Sequence, residues 1–189
     1  MVVIPIAAKL ITGAELIEKV RKVKDTVWPQ PSAELVKRFR WFQCTVRNAT
    51  QFQIRLDGVH WDSGKFCTPP DTAGVFEDMT FGACNSDHGV AKGVTGGFSF
   101  CMMLDEEQRF YFSVGLATLG AGQANAGVVE SESSWDGFDA ATRDGNYIES
   151  KNKYKSKNED GNEQEILFRV SAQPGKEMRI EVDQIVMSK

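Results

Sequence analysis

A chain of 189 residues, 41% hydrophobic and 25% charged, is long enough to bury a core without a metal or disulfide staple and falls within the size of one domain. The net charge of −4 and pI of about 5.3 argue against nucleic acid as a partner, since non-specific binding to phosphates needs an excess of Lys and Arg. Two histidines and four separated cysteines, without a Cys-x-x-Cys pair, argue against zinc, and no motif calls for a cofactor.

The first residues include Pro5, Lys9 and Glu15 and lack the basic start and unbroken apolar core of a signal peptide. No stretch approaches the roughly 20 apolar residues of a lone membrane-spanning helix, so a soluble protein is expected. Over residues 8–24, Leu10, Ile11, Ala14, Ile17, Val20 and Val23 recur three or four positions apart among charges, which predicts an amphipathic helix. Trp28-Pro29-Gln30-Pro31 ends that segment, and Ser32 is a candidate cap for a second short helix. The expected division is a helical segment with linker at 1–29 and a β-sandwich at 30–189.

From Arg38 onward the period changes to two. Phe42, Cys44 and Val46, a turn at 47–50, then Phe52, Ile54 and Leu56 read as a hairpin with Cys44 as a buried free thiol. Further strands are expected near 75–83, 97–104, 109–116, 127–131, 165–172 and 176–186, the clearest hairpin turning at 105–108. The Gly/Ala-rich stretch 115–127 and the polar stretch 150–165 read as exposed loops. The fold class predicted is a mostly β, antiparallel sandwich of about ten strands behind the helix.

Chemistry is sparse. Walker, nucleophile-elbow and metal-ligand spacings are missing, and Ser86, Asp87 and His88 are adjacent in one turn rather than convergent as a triad requires, so no enzyme is expected. The disulfide pairing of Cys44, Cys67, Cys84 and Cys101 is open. Asn48-Ala49-Thr50 matches a glycosylation sequon, and Trp61, in the turn-like stretch 60–64, is the tryptophan most suggestive of a ligand platform.

Residues 84–100 (CNSDHGVAKGVTGGFSF) followed by 109–115 (RFYFSVG) resemble the central strands of actinoporin-like pore-forming cytolysins, and residues 46–50, 178–182 and the leading helix follow the same plan. The resemblance implies a soluble protein, released and then bound to a lipid receptor on a target-cell membrane. There it oligomerises and inserts its N-terminal helix, with Leu10, Ile11, Ile17 and Val20 facing lipid. Residues 2–25 as one helix would reach about 36 Å, enough for a hydrocarbon core of about 30 Å. It also implies a headgroup pocket with Ser63, Thr95 and Ser113 at matching positions, Trp61 and Tyr147 beside them, and Trp135 and Phe138 as further rings. The family's Trp-rich loop corresponds to a stretch without aromatic rings, which points to a receptor other than its usual sphingomyelin. A fruit-body lectin of the same architecture, binding glycans, and an aegerolysin-like lipid binder are the alternatives.

Overall fold

Alternating apolar residues bury one face of each strand, and two such sheets close over a shared core. The computed structural model describes residues 1–85, 93–119 and 122–187. In chain order these form β1 (Val3–Pro5), α1 (Gly13–Lys24), α2 (Ala33–Val36), β2 (Trp41–Ala49), β3 (Ile54–Ser63), β4 (Lys65–Thr68), β5 (Thr72–Ala73) and β6 (Asp78–Cys84). They continue with β7 (Val94–Met103), β8 (Arg109–Thr118), β9 (Ala124–Val129), α3 (Ser134–Asp139), β10 (Asn146–Glu149), β11 (Lys153–Lys157), β12 (Glu163–Gln173) and β13 (Glu177–Met187).

One sheet has eight strands, in the order β1-β11-β12-β13-β2-β6-β4 with β10 also on β12; the other has five, in the order β5-β3-β7-β8-β9. The sandwich expected from sequence is therefore present, with more strands than the ten expected and with two parallel pairs, β1 with β11 and β13 with β2. Phenylalanines fill the space between the sheets. Phe42, Phe81 and Phe98 meet edge-on or tilted at 5.4 to 6.4 Å, and Phe110 stacks on Phe168 at 5.2 Å. Each fully buried ring of this kind contributes about 1.5–3 kcal/mol over an exposed one. Cys44 is a buried free thiol in this layer, as expected, and burial pushes its pKa well above the ordinary value. Cys101 is also free, while Cys67 and Cys84 are disulfide-bonded.

Four sequence expectations change. Residues 42–56 are not a hairpin, because β2 pairs with β6 and β13 while β3 pairs with β5 and β7, so the chain crosses between sheets. Asn48 makes the corner: its amide donates to the carbonyls of Phe52 (2.6 Å) and Gly74 (2.7 Å), and its oxygen accepts from Thr50 N and Oγ1. Fully buried, Asn48 has no surface for a glycan. The stretch 115–127 is mostly paired strand, with β8 and β9 in register from Thr118 and Ala124 downward. Within 150–165, β11 joins the eight-stranded sheet and buries Tyr154, whose hydroxyl burial, with the nearby Glu130 charge, drives up to a pKa of about 12.

The largest change is at the N-terminus. Residues 3–5 lie on the edge of the eight-stranded sheet, and Ile6 N and Leu10 N donate to Lys155 O and Lys157 O at 2.9 Å. Leu10 is fully buried in the core, outside the helix expected to hold it, and Ile11 precedes the helix as well. Gly13, with φ of 62°, turns the chain into α1, whose 12 residues span only about 18 Å. Leu16 and Val23 are the buried residues of α1; Val20 is half-buried, and Ile17 is 69% exposed. Among the described residues, no helix is long and apolar enough to cross a membrane.

Candidate functional site

The outer face of the five-stranded sheet is unusual in what it omits. Gly97, Gly115 and Gly127 stand side by side across β7, β8 and β9, a row of three missing side chains in register. α3 lies in the trough they leave. A Cβ on Gly97, Gly115 or Gly127 would sit within 1.9 to 2.1 Å of the carbonyl oxygens of Ser134, Gly137 and Ala140, respectively. From the helix side, Gly137 closes the approach, since a Cβ there would come within 2.9 Å of the Ser113 side chain. Backbone-to-backbone contact of this kind leaves a short helix with no freedom to roll, because the interface is filled without soft side chains.

The fourth position of that row is His60, partner of Gly97. A register shift between Leu56 and Gly58 inverts the alternation of β3, so that His60 points outward and Trp61 inward. The His60 ring stacks on Trp135 of α3 with centroids 3.5 Å apart and planes 23° from parallel, and its edge meets Phe138 at 5.3 Å. Trp135 remains 58% exposed. An indole held flat against a second ring, on a helix seated on glycine, is a rigid apolar projection. Asp136 fixes the start of α3 by accepting from Ser131 Oγ, which in turn accepts from Ser133 N.

The residues singled out from sequence are not one pocket. Ser63 and Thr95 are cross-strand partners at one end of this face, and Ser63 Oγ donates to Gly93 O at 2.9 Å. Ser113 lies four positions further along the ladder, beneath α3, buried and donating to Ser131 O at 3.0 Å. Trp61 packs into the core against Phe66 and Phe98. Tyr147 is exposed on β10 of the other sheet beside Arg169. In the cross-strand row continuing from Ser63 and Thr95 through Ala117, Asn125 Oδ1 is buried without a partner, as is the nearby Thr118 Oγ1. Ser86, Asp87 and His88 lie outside the described residues, as do Gly120 and Ala121; among the described residues no cluster of His, Cys, Asp and Glu suited to a metal occurs. Sequence reasoning missed α3 and the His60–Trp135 stack. The available signals were Trp135 and Phe138 three residues apart, and the glycines read as loop.

On the opposite face, the linker after α1 is latched down. The guanidinium groups of Arg47 (3.7 Å) and Arg179 (4.8 Å) both lie against the Trp28 ring. Arg47, its side chain 3% exposed, bonds Asp78 at 2.8 Å and also the carbonyls of Lys24 and Thr26. Gln43 Nε2 reaches Pro29 O at 2.7 Å, and Lys24 pairs with Asp183 at 2.7 Å.

The fold and these two faces define a two-layer β-sandwich with helices laid on both outer surfaces. No family model matches the chain, and neither does any curated protein. Among solved structures, the lipid binding protein Nakanori superposes with a TM-score of 0.53 at 16% identity, covering 94% of this chain and 90% of that one, so the architecture is shared over essentially the whole length.

Proposed function

We propose that this protein is a soluble, non-enzymatic lipid-binding protein that docks on membrane surfaces through α3. The observation that carries the reading is Trp135: exposed, yet fixed by the His60 stack and the glycine seat. Tryptophan favours the membrane–water interface, where its apolar ring and N–H are both satisfied, and a preorganised ring loses little entropy on docking. The architecture shared with a lipid binding protein supports the same reading.

Pore formation by α1 is the second reading, favoured by the exposed Ile17. Against it stand the edge pairing of β1, the buried Leu10 and the Arg47–Trp28 latch, all of which insertion would have to break.

Vesicle flotation over several headgroup compositions, paired with dye leakage, separates the readings. Wild-type protein is expected to float with at least one composition without releasing dye, and Trp135→Ala to lose at least about tenfold in affinity, the loss of one interfacial aromatic anchor. Failure to bind any vesicle, with binding to a glycan array instead, contradicts the lipid reading in favour of a lectin. Leakage abolished by pinning residues 10–24 to the sandwich supports the pore.

A further inference from the structure

Val36-Lys37-Arg38-Phe39-Arg40 sets three cations in five residues of a protein with net charge −4. It runs from the end of α2 into β2, and its two apolar members are turned to solvent, Val36 49% and Phe39 63% exposed. The fold adds two more cations. Lys65 of β4 and Trp41 of β2 flank Cys84 in one cross-strand row, and the exposed Lys176 places its ammonium 5.4 Å over the Trp41 ring. Glu34 shares a shallow cavity with Arg38 and Lys65.

This surface is held as firmly as the α3 face. Leu35 is buried with Trp41 and Cys84 and lies over Gly82, where a Cβ would come within 3.0 Å. Ser32 Oγ accepts from Leu35 N, the Cys67–Cys84 disulfide fixes the edge strand, and Arg40 and Asn85 exchange hydrogen bonds. With α2 fastened on that side, Val36 and Phe39 have only the solvent side to occupy. Arg40 lies 4.8 Å over the Phe39 ring. Only Gly64 separates Ser63 of β3 from Lys65 of β4, so this end is continuous with the sheet that carries α3.

We propose that the α2–β2–β4 end is a second membrane contact, in which Phe39 and Val36 enter the interface while Lys37, Arg38, Arg40, Lys65 and Lys176 meet anionic phospholipid headgroups. The inference rests on the lipid-binding reading and adds the headgroup class. Apolar tips ringed by cations fit an anionic lipid surface, which offers hydrocarbon beneath phosphate and carboxylate; nucleic acid would use the cations and leave Val36 without a partner.

Binding to phosphatidylcholine vesicles, with and without phosphatidylserine, tests it. Each basic residue near an anionic surface strengthens binding about fivefold, so three supply on the order of 100-fold at low ionic strength, declining as salt shortens the Debye length. Wild-type protein should show that enhancement, and the triple variant K37Q/R38Q/R40Q should bring the ratio of the two affinities close to one while retaining the wild-type circular dichroism. Phe39→Ser should weaken binding to the mixed vesicles. A wild-type affinity that ignores phosphatidylserine, or an enhancement that survives in the triple variant, overturns this inference alone. A single-stranded oligonucleotide that binds more tightly than the mixed vesicles overturns it in favour of nucleic acid. Absence of binding to every vesicle overturns the lipid reading itself.

Discussion

The two outer faces of the sandwich each carry a helix, and they hold it by opposite means. α1 and its linker are tied to the eight-stranded sheet by charge, with Arg47 joining Asp78, the carbonyls of Lys24 at the end of α1 and Thr26 in the linker, and the Trp28 ring at one point. α3 is seated on the five-stranded sheet by absence, on three glycines that let backbone approach backbone. A polar latch is strong while every partner is present and fails as a unit, whereas a close-packed seat fails by displacement when any atom is added. The first arrangement keeps apolar residues in; the second pushes Trp135 out.

Breaking the latch has the largest expected effect. Arg47→Ala leaves Asp78 mostly buried without its cation and frees the carbonyls of Lys24 and Thr26, so a loss of about 3–5 kcal/mol is expected in urea unfolding. A smaller loss than about 1 kcal/mol would mean that the linker is held by something else. Gly115→Ala comes next. Its Cβ must clear Gly137 O at 2.1 Å, so α3 has to shift, at a cost of about 1–3 kcal/mol and with loss of vesicle binding. Wild-type binding by that variant would dissociate the glycine seat from the proposed function.

The smallest effect concerns the edge tether of the N-terminal strand. Asp105 accepts from Ala7 N at 2.7 Å and from Glu107 and Gln108 N. Its slight burial raises the pKa, but these three donors and Arg109 outweigh it and hold the carboxyl below its ordinary value. A depressed carboxylate stabilises the fold above its unfolded pKa of about 3.9, and that contribution disappears as pH falls through the lower folded value. Asp105→Asn should therefore cost about 0.5 kcal/mol or less near neutrality, and the difference from wild type should vanish in acid. A difference that stays constant below pH 4 would show that the carboxylate charge is not what matters.

The sandwich was legible in the sequence because its strands alternate strongly. Phe98, Phe100 and Met102 against Phe110, Phe112 and Val114 face the core in the register that alternation implies. What misled was local reading of residues whose roles are tertiary. Leu10 fits a helical period, yet the edge of β11 and the core claim it first. The 47–50 stretch has turn chemistry, but Asn48 spends it on a corner between sheets. The glycines at 115 and 127 carry no periodic signal, since their purpose is set by a helix elsewhere in the chain. The site followed the same logic. Ser63 and Thr95, matched in sequence only through the family resemblance, do pair across β3 and β7, whereas His60 and Trp135, 75 positions apart, meet only through the strand shift and the glycine seat.

Amide hydrogen exchange on the vesicle-bound protein tests most directly the claim that α3 docks while the N-terminal segment stays folded. Slowed exchange is expected around residues 133–140 on lipid, with the Ile6 and Leu10 amides as protected as in solution. Loss of protection through residues 3–24 on binding, with none gained at α3, would contradict it.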